Sequence, residues 1–183
     1  MFYKTKKIFI LIISFFTAVG FNNLSLKKDY PIPEGINHLL FYVQRTSNTN
    51  TLVYALNLDE KNEINTKNPI KIYWINYALD GGTEPLNYVQ KKYAYGIETE
   101  IVDIEKKSFR FKFVSYKKKE LYLIKTASDN KYHVFYNVKD KLLPIVRVFI
   151  KTEGGLLWPK VKYTDITCID LIKNEEVVER IIP

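Results

Sequence analysis

Over much of the chain, apolar and polar residues alternate one by one in short blocks separated by turn-forming residues, the period of a half-buried β-strand. Phe109, Phe111 and Phe113 alternate with Arg110 and Lys112, so one face of that segment is apolar and the other wet. Tyr132, Val134, Tyr136 and Val138 repeat the pattern against the more mixed His133, Phe135 and Asn137. Blocks rich in Val, Ile, Tyr and Phe predict strands at about 38–45, 51–58, 70–77, 97–105, 108–116, 121–126, 131–138, 142–151, 159–172 and 177–181. The block at 70–77 differs, because Ile72, Trp74 and Asn76 oppose Tyr73, Ile75 and Tyr77 and both faces are partly apolar. That predicts a central strand covered on both sides. Lys106-Lys107 and Asp129-Asn130 leave room only for tight turns, so neighbouring strands should pair as antiparallel meanders.

One stretch departs from this period. Thr83 suits an N-cap, Glu84 and Pro85 a first turn, and Leu86, Val89 and Tyr93 fall at helical spacing. Lys91 and Lys92 approach the negative end of the helix, and Gly96 suits the residue after the cap. The expectation is one short helix lying over the open end of a barrel or sandwich, with Leu86, Val89 and Tyr93 covering an apolar opening.

The amino terminus has another character. Lys4, Lys6 and Lys7 precede an apolar or small run from Ile8 to Val19, and Ala18-Val19-Gly20 has the small-x-small form that signal peptidases cut after. The run is too short to span a hydrocarbon core of about 30 Å. Residues 1–20 therefore read as a signal peptide, with an uncleaved amino-terminal membrane anchor as the alternative. The expected location is periplasmic or extracellular. Residues 21–36, with Asn22, Asn23, Pro31 and Pro33, read as a linker or amino-terminal arm, and residues 37–183 as a single domain.

Composition sharpens this reading. The 14 Tyr and 11 Phe favour pleated structure. The leader holds three of the 28 basic residues and none of the 20 acidic ones, so the formal charge of +8 falls to +5 without it. So mild an excess argues against nucleic acid as a partner. Lys117-Lys118-Lys119 is read as a solvated hairpin loop. The lone Cys168 excludes an intramolecular disulfide and, within a strand-like stretch, reads as a small buried hydrophobe.

Catalytic and metal chemistry leave no signature. His38 and His133 stand on separate strands without ligand spacing around them, and no metal or cofactor is expected. There is no nucleophile elbow or phosphate-binding glycine loop. Gly81-Gly82 and Gly154-Gly155 read as turns, and no carboxylate pair stands out. The densest polar run is Gln44 to Thr51. If Leu39, Phe41 and Val43 face inward, Arg45 follows them to the rim of the interior, where a guanidinium can hold a carboxylate or phosphate. The bland account is a hairpin loop with local side-chain bonds. The ligand-binding candidates are Arg45, Asn48 and Asn50 at this rim, with Trp74 and Asn76 from the 70–77 strand.

Five blocks carry a resemblance. They are 41–54 (FYVQRTSNTNTLVY), 72–75 (IYWI), 94–97 (AYGI), 159–163 (PKVKY) and 178–183 (VERIIP). In this order they resemble an exported bacterial family, the domain-of-unknown-function family numbered 4833, over about residues 38–183. The resemblance implies one intact domain and no assigned activity, so no catalytic residue follows from it.

The sequence thus predicts an all-β domain, an antiparallel barrel or sandwich of about nine to ten strands with one short helix. The expected function is a non-catalytic envelope or periplasmic binding module for a small apolar or anionic ligand, touching the membrane only through its signal peptide. The alternatives are an enzyme acting on cell-envelope material without a local motif, and an assembly protein offering a sheet edge or surface to a partner.

Overall fold

The computed structural model describes residues 30–154 and 160–183. The expected signal peptide (residues 1–20), residues 21–29 of the expected arm, Gly155 and the Pro159 end of the 159–172 strand lie outside the described residues. The chain forms β1 (Leu39–Arg45), β2 (Thr51–Leu56), β3 (Ile70–Ile75), β4 (Thr83–Pro85) and α1 (Tyr88–Tyr93). Then follow β5 (Ile97–Asp103), β6 (Ser108–Phe113), β7 (Tyr116–Lys125), β8 (Tyr132–Val138), β9 (Lys141–Glu153), β10 (Lys160–Asp170) and β11 (Glu175–Ile181).

The architecture is all-β. Nine strands in the order β4-β3-β2-β1-β9-β8-β7-β6-β5 make one curled, half-barrel sheet, and β10 and β11 extend from it. The long strand β9 makes this branching possible. Its first residues pair with β8, Tyr136 opposite Leu143, while its later residues pair with β10, Ile166 opposite Val148. Every pair is antiparallel except β1 with β9, where Val43 runs parallel to Val148. Two hairpin-rich halves, β1–β4 and β5–β8, are joined through β9, which runs parallel to β1 and antiparallel to β8.

Alternation holds where the sheet is half-buried. Phe109 and Phe111 are buried, and Phe113 packs partly buried against the same core. Arg110 and Lys112 on the other face meet Glu120. Val134, Tyr136 and Val138 are buried in that core as well. Strand β3 is apolar on both sides for a visible reason: Trp74 joins the main core, while Ile75 joins a second, smaller cluster with Val53 and Ala55 on the other face.

Five local expectations are corrected. The register of β1 against β2 slips between Leu39 and Phe41, so Leu40 enters the main core and Leu39 turns to the smaller cluster. The helix begins later than expected. Thr83 to Pro85 form a short edge strand against β3, and Asn87 is the N-cap, its side chain accepting from the Gln90 amide in a capping box. Val89 and Tyr93 are exposed and only Leu86 packs against the core, so α1 covers nothing with those two side chains. Gly96 serves packing: a Cβ there would lie 1.9 Å from the Lys91 carbonyl oxygen. Finally, Lys117 to Lys119 belong to β7 and not to a loop, because the β6–β7 turn closes tightly, with Phe113 paired to Tyr116.

Candidate functional site

The concave face of the half-barrel encloses a cavity of about 320 Å³. Val43 and Tyr54 supply one wall from β1 and β2, Phe113 and Leu121 another from β6 and β7, and Val148 and Ile166 a third from β9 and β10. Phe41 stacks on Tyr54 with ring centroids 4.4 Å apart, and Phe113 meets both rings edge-on. Such aromatic pairs fix the wall more rigidly than aliphatic packing of equal area.

The segment between α1 and β5 closes one side of the cavity through Ala94 and Tyr95. Side chains from separate parts of the sheet hold it. The Tyr54 hydroxyl donates to the Tyr95 carbonyl at 2.7 Å, and the Ser115 hydroxyl to the Ala94 carbonyl at 2.6 Å. Burial, with Tyr95 nearby, raises the Tyr54 pKa well above the usual tyrosine range, so its hydroxyl stays a donor. Arg45 Nη1 donates to the Tyr95 hydroxyl, and the guanidinium carbon lies 4.6 Å from the Trp74 ring centroid. Trp74 meets Tyr95 edge-on at 5.2 Å, and its indole N–H donates to Gln90 Oε1 on α1 at 3.3 Å.

The candidate residues read from the sequence thus gather at one end of β1, β2 and β3, in two groups. Arg45 and Trp74 form a stacked pair behind Tyr95, outside the cavity lining itself. Asn48, Asn50 and Asn76 form a loop network. Asn50 Nδ2 donates to Asn76 Oδ1 at 3.2 Å, Asn50 Oδ1 accepts from the Ala78 amide, Asn48 Oδ1 accepts from the Asn50 amide, and Asn76 Nδ2 donates to Glu84. Arg45 is therefore engaged by side chains and not by loop carbonyls.

The other end of the cavity holds groups the sequence reading passed over. Tyr136 lines it and is 1% exposed, while Glu179, part-exposed and outside the lining itself, projects from β11 between Val177 and Ile181, both of which pack against the core. Burial, then a hydrogen bond to the Glu179 carboxylate and its charge, pushes the Tyr136 pKa far above the usual tyrosine range. Burial followed by the same carboxylate pushes the Cys168 thiol up to about 12, so the thiol is an inert core group at neutral pH. Lys119 Nζ stands 3.7 Å from Glu179 Oε1 and 5.4 Å from the Tyr136 ring centroid. An acid at the middle of Val177-x-Glu179-x-Ile181 was the signal available in the sequence.

A second, shallower groove runs over the opposite face of β9 to β11, bordered by Arg147, Lys151, Asp165 and Glu176. Its charges are mixed, and Asp165 is held by Arg180 through two bonds of 2.7 Å, so it selects neither sign of ligand. Among the described residues no group of three or more His, Cys, Asp and Glu is placed to hold a metal ion.

A family model described as a domain of unknown function, DUF4833, matches residues 41–180. The chain belongs to the DUF4833 family. No curated protein and no solved structure matches it. The matched stretch runs from Phe41 in β1 to Arg180 in β11, so the DUF4833 domain contains Tyr95, Lys119, Tyr136 and Glu179 together. Apart from Ile181 and Pro183, the residues lining the cavity lie within the matched stretch.

Proposed function

We propose that the DUF4833 domain is an exported, non-catalytic binding module whose concave cavity takes a small apolar molecule. The observation that carries this is the cavity itself: about 320 Å³ walled by Val43, Tyr54, Phe113, Leu121, Val148 and Ile166, a volume at the lower end of small-molecule sites. Arg45, engaged by Tyr95 and Trp74, supports the wall, which favours an apolar over an anionic occupant. Asn48, Asn50 and Asn76 brace the loops beside it. The basic, apolar and small-residue sequence of the first 20 residues supports export.

Titration with the neutral fluorophore N-phenyl-1-naphthylamine tests the binding role. Saturable one-to-one enhancement is expected, and Val148→Phe, which fills the cavity from β9, should abolish it while the domain stays folded by circular dichroism. Enhancement that does not saturate, or that survives Val148→Phe unchanged, overturns the reading. Amino-terminal sequencing of the mature protein, expected to begin after Gly20, tests export, and recovery of Met1 on a membrane-bound form replaces the signal peptide by an anchor.

A further inference from the structure

The cavity reaches solvent where its exposed lining residues Ser115, Val161 and Pro183 lie. The Ser115 hydroxyl donates to the Ala94 carbonyl, which brings the end of α1 to the same rim. Lysines stand close in sequence to the lining residue of three elements that meet there. Lys91 and Lys92 precede Ala94, Lys117 and Lys118 follow Tyr116, and Lys160 and Lys162 flank Val161; all six are exposed. Glu98 pairs with Lys117 and Glu153 with Lys162. Lys91, Lys92, Lys118 and Lys160 have no carboxylate within ion-pair distance among the described residues. Glu84, the acid closest to α1 on its amino-terminal side, accepts from Asn76 instead.

Apolar side chains share this rim without being buried. Tyr88, Val89 and Tyr93 of α1 are 70%, 62% and 63% exposed, and Ile182, next to Pro183, is 74% exposed. A helix that only closed the cavity would carry polar residues at its outward positions. Here Lys92 Nζ donates to the Tyr88 hydroxyl at 2.9 Å and lies within 5.3 Å of the centroids of both the Tyr88 and Tyr93 rings. The Tyr88 hydroxyl accepts that bond and keeps its own proton to donate. Aromatic rings with polar tips, long-stemmed cations and small aliphatic groups are the set that suits the boundary between lipid headgroups and acyl chains. A second copy meeting this face about a two-fold axis would set lysine against lysine. An anionic bilayer satisfies both kinds of group, with phosphate oxygens for the lysines and tyrosine hydroxyls and an apolar layer for Val89. We propose that the rim of the cavity, led by α1, docks on an anionic phospholipid bilayer. This gives the binding module a membrane face, and it is read without any ligand in the cavity.

An environment-sensitive nitrobenzoxadiazole label tests it. Cys168 is buried with its thiol pKa raised to about 12, so a single introduced cysteine takes the label. The label at Val89→Cys should brighten and shift to shorter wavelength on vesicles of three parts phosphatidylcholine to one part phosphatidylglycerol, and change little on phosphatidylcholine alone. The label at Lys61→Cys, beyond the far end of β2, should stay as in water. Each label reports its own position, so attachment through the amino terminus does not mimic this result. A lysine near an anionic surface is worth about fivefold in partition, so replacing Lys91, Lys92, Lys118 and Lys160 together by Gln should weaken vesicle binding more than about twentyfold, with the fold checked by circular dichroism. Raising the salt from about 0.05 to about 0.5 M should weaken it as well.

An unchanged label at residue 89, an equal response to the two kinds of vesicle, or an equal response of the labels at residues 89 and 61 overturns the proposal. So does full vesicle binding by the folded four-lysine variant. A response at residue 89 that grows with protein concentration in the absence of vesicles makes the face a contact between copies and overturns it too. The naphthylamine titration is run without lipid, so the cavity reading stands or falls separately from every one of these outcomes.

Discussion

Arg45→Met isolates what the guanidinium does, because methionine keeps much of the apolar stem and removes every donor. Arg45 reaches the Tyr95 hydroxyl through Nη1 and lies over the Trp74 ring. A hydrogen bond from a charged donor contributes about 1.5–3 kcal/mol and a cation over tryptophan about 0.5–2 kcal/mol. Against this, Nε of Arg45 is buried without a partner, and removing that orphan returns about 1–3 kcal/mol. The net expected loss is about 1–2 kcal/mol, or roughly 2–4 °C in melting temperature per kcal/mol for a domain of this size. The pair can be separated from the rest by a double-mutant cycle with Tyr95→Phe in urea melts at pH 7, where the coupling energy should be about 1 kcal/mol. Tyr95 forms part of the cavity wall, so both single variants should also weaken the naphthylamine probe by a similar factor. A coupling energy near zero, with Arg45→Met as stable as the parent, would refute the bracing role and return Arg45 to the ligand-binding role suggested by alternation alone.

Phe111 is 1% exposed while Lys112 reaches only the surface carboxylate of Glu120. Phe111→Ala should therefore cost about 3–5 kcal/mol and Lys112→Ala less than about 0.5 kcal/mol in denaturant melts, and equal effects would mean the phase of β6 is misassigned. In the β7–β8 turn, Asp129 accepts from the Thr126 hydroxyl, the Lys131 amide and His133, and these bonds hold its pKa well below the ordinary aspartate value of 3.8. A carboxylate with a lowered folded-state pKa contributes stability that is fully present above its unfolded value and is lost as the pH falls toward the folded one. Asp129→Asn should accordingly lower stability at pH 7 and flatten the acid limb of the melting profile below about pH 4, and an unchanged acid limb would count against the turn network.

Much of the strand set was legible because a strand writes its burial into a two-residue period that needs no distant partner to be seen. The Phe109 to Phe113 and Tyr132 to Val138 faces, the two-sided β3 and the tight turns at Lys107 and Asn130, both at positive φ, follow from the residues in place. Helical spacing and lysine placement likewise announced α1, though not its cap, since Thr83 and Asn87 are both good caps and only the pairing of Thr83 with Ile75 decides between them. The candidate residues Arg45, Asn48, Asn50, Trp74 and Asn76 were brought to one end of the sheet by ordinary hairpin register, which local pattern predicts. Partners contributed by sequence-distant strands were not predictable from local pattern. The parallel seam of β1 and β9, the slip at Leu40, the placement of Tyr95 behind Arg45 and the meeting of Tyr136 with Glu179 depend on how strands far apart in sequence share one core. Alternation shows which residues a strand turns inward, but register and pairing are chosen by the summed packing of all strands, so only the assembled sheet determines what those residues face.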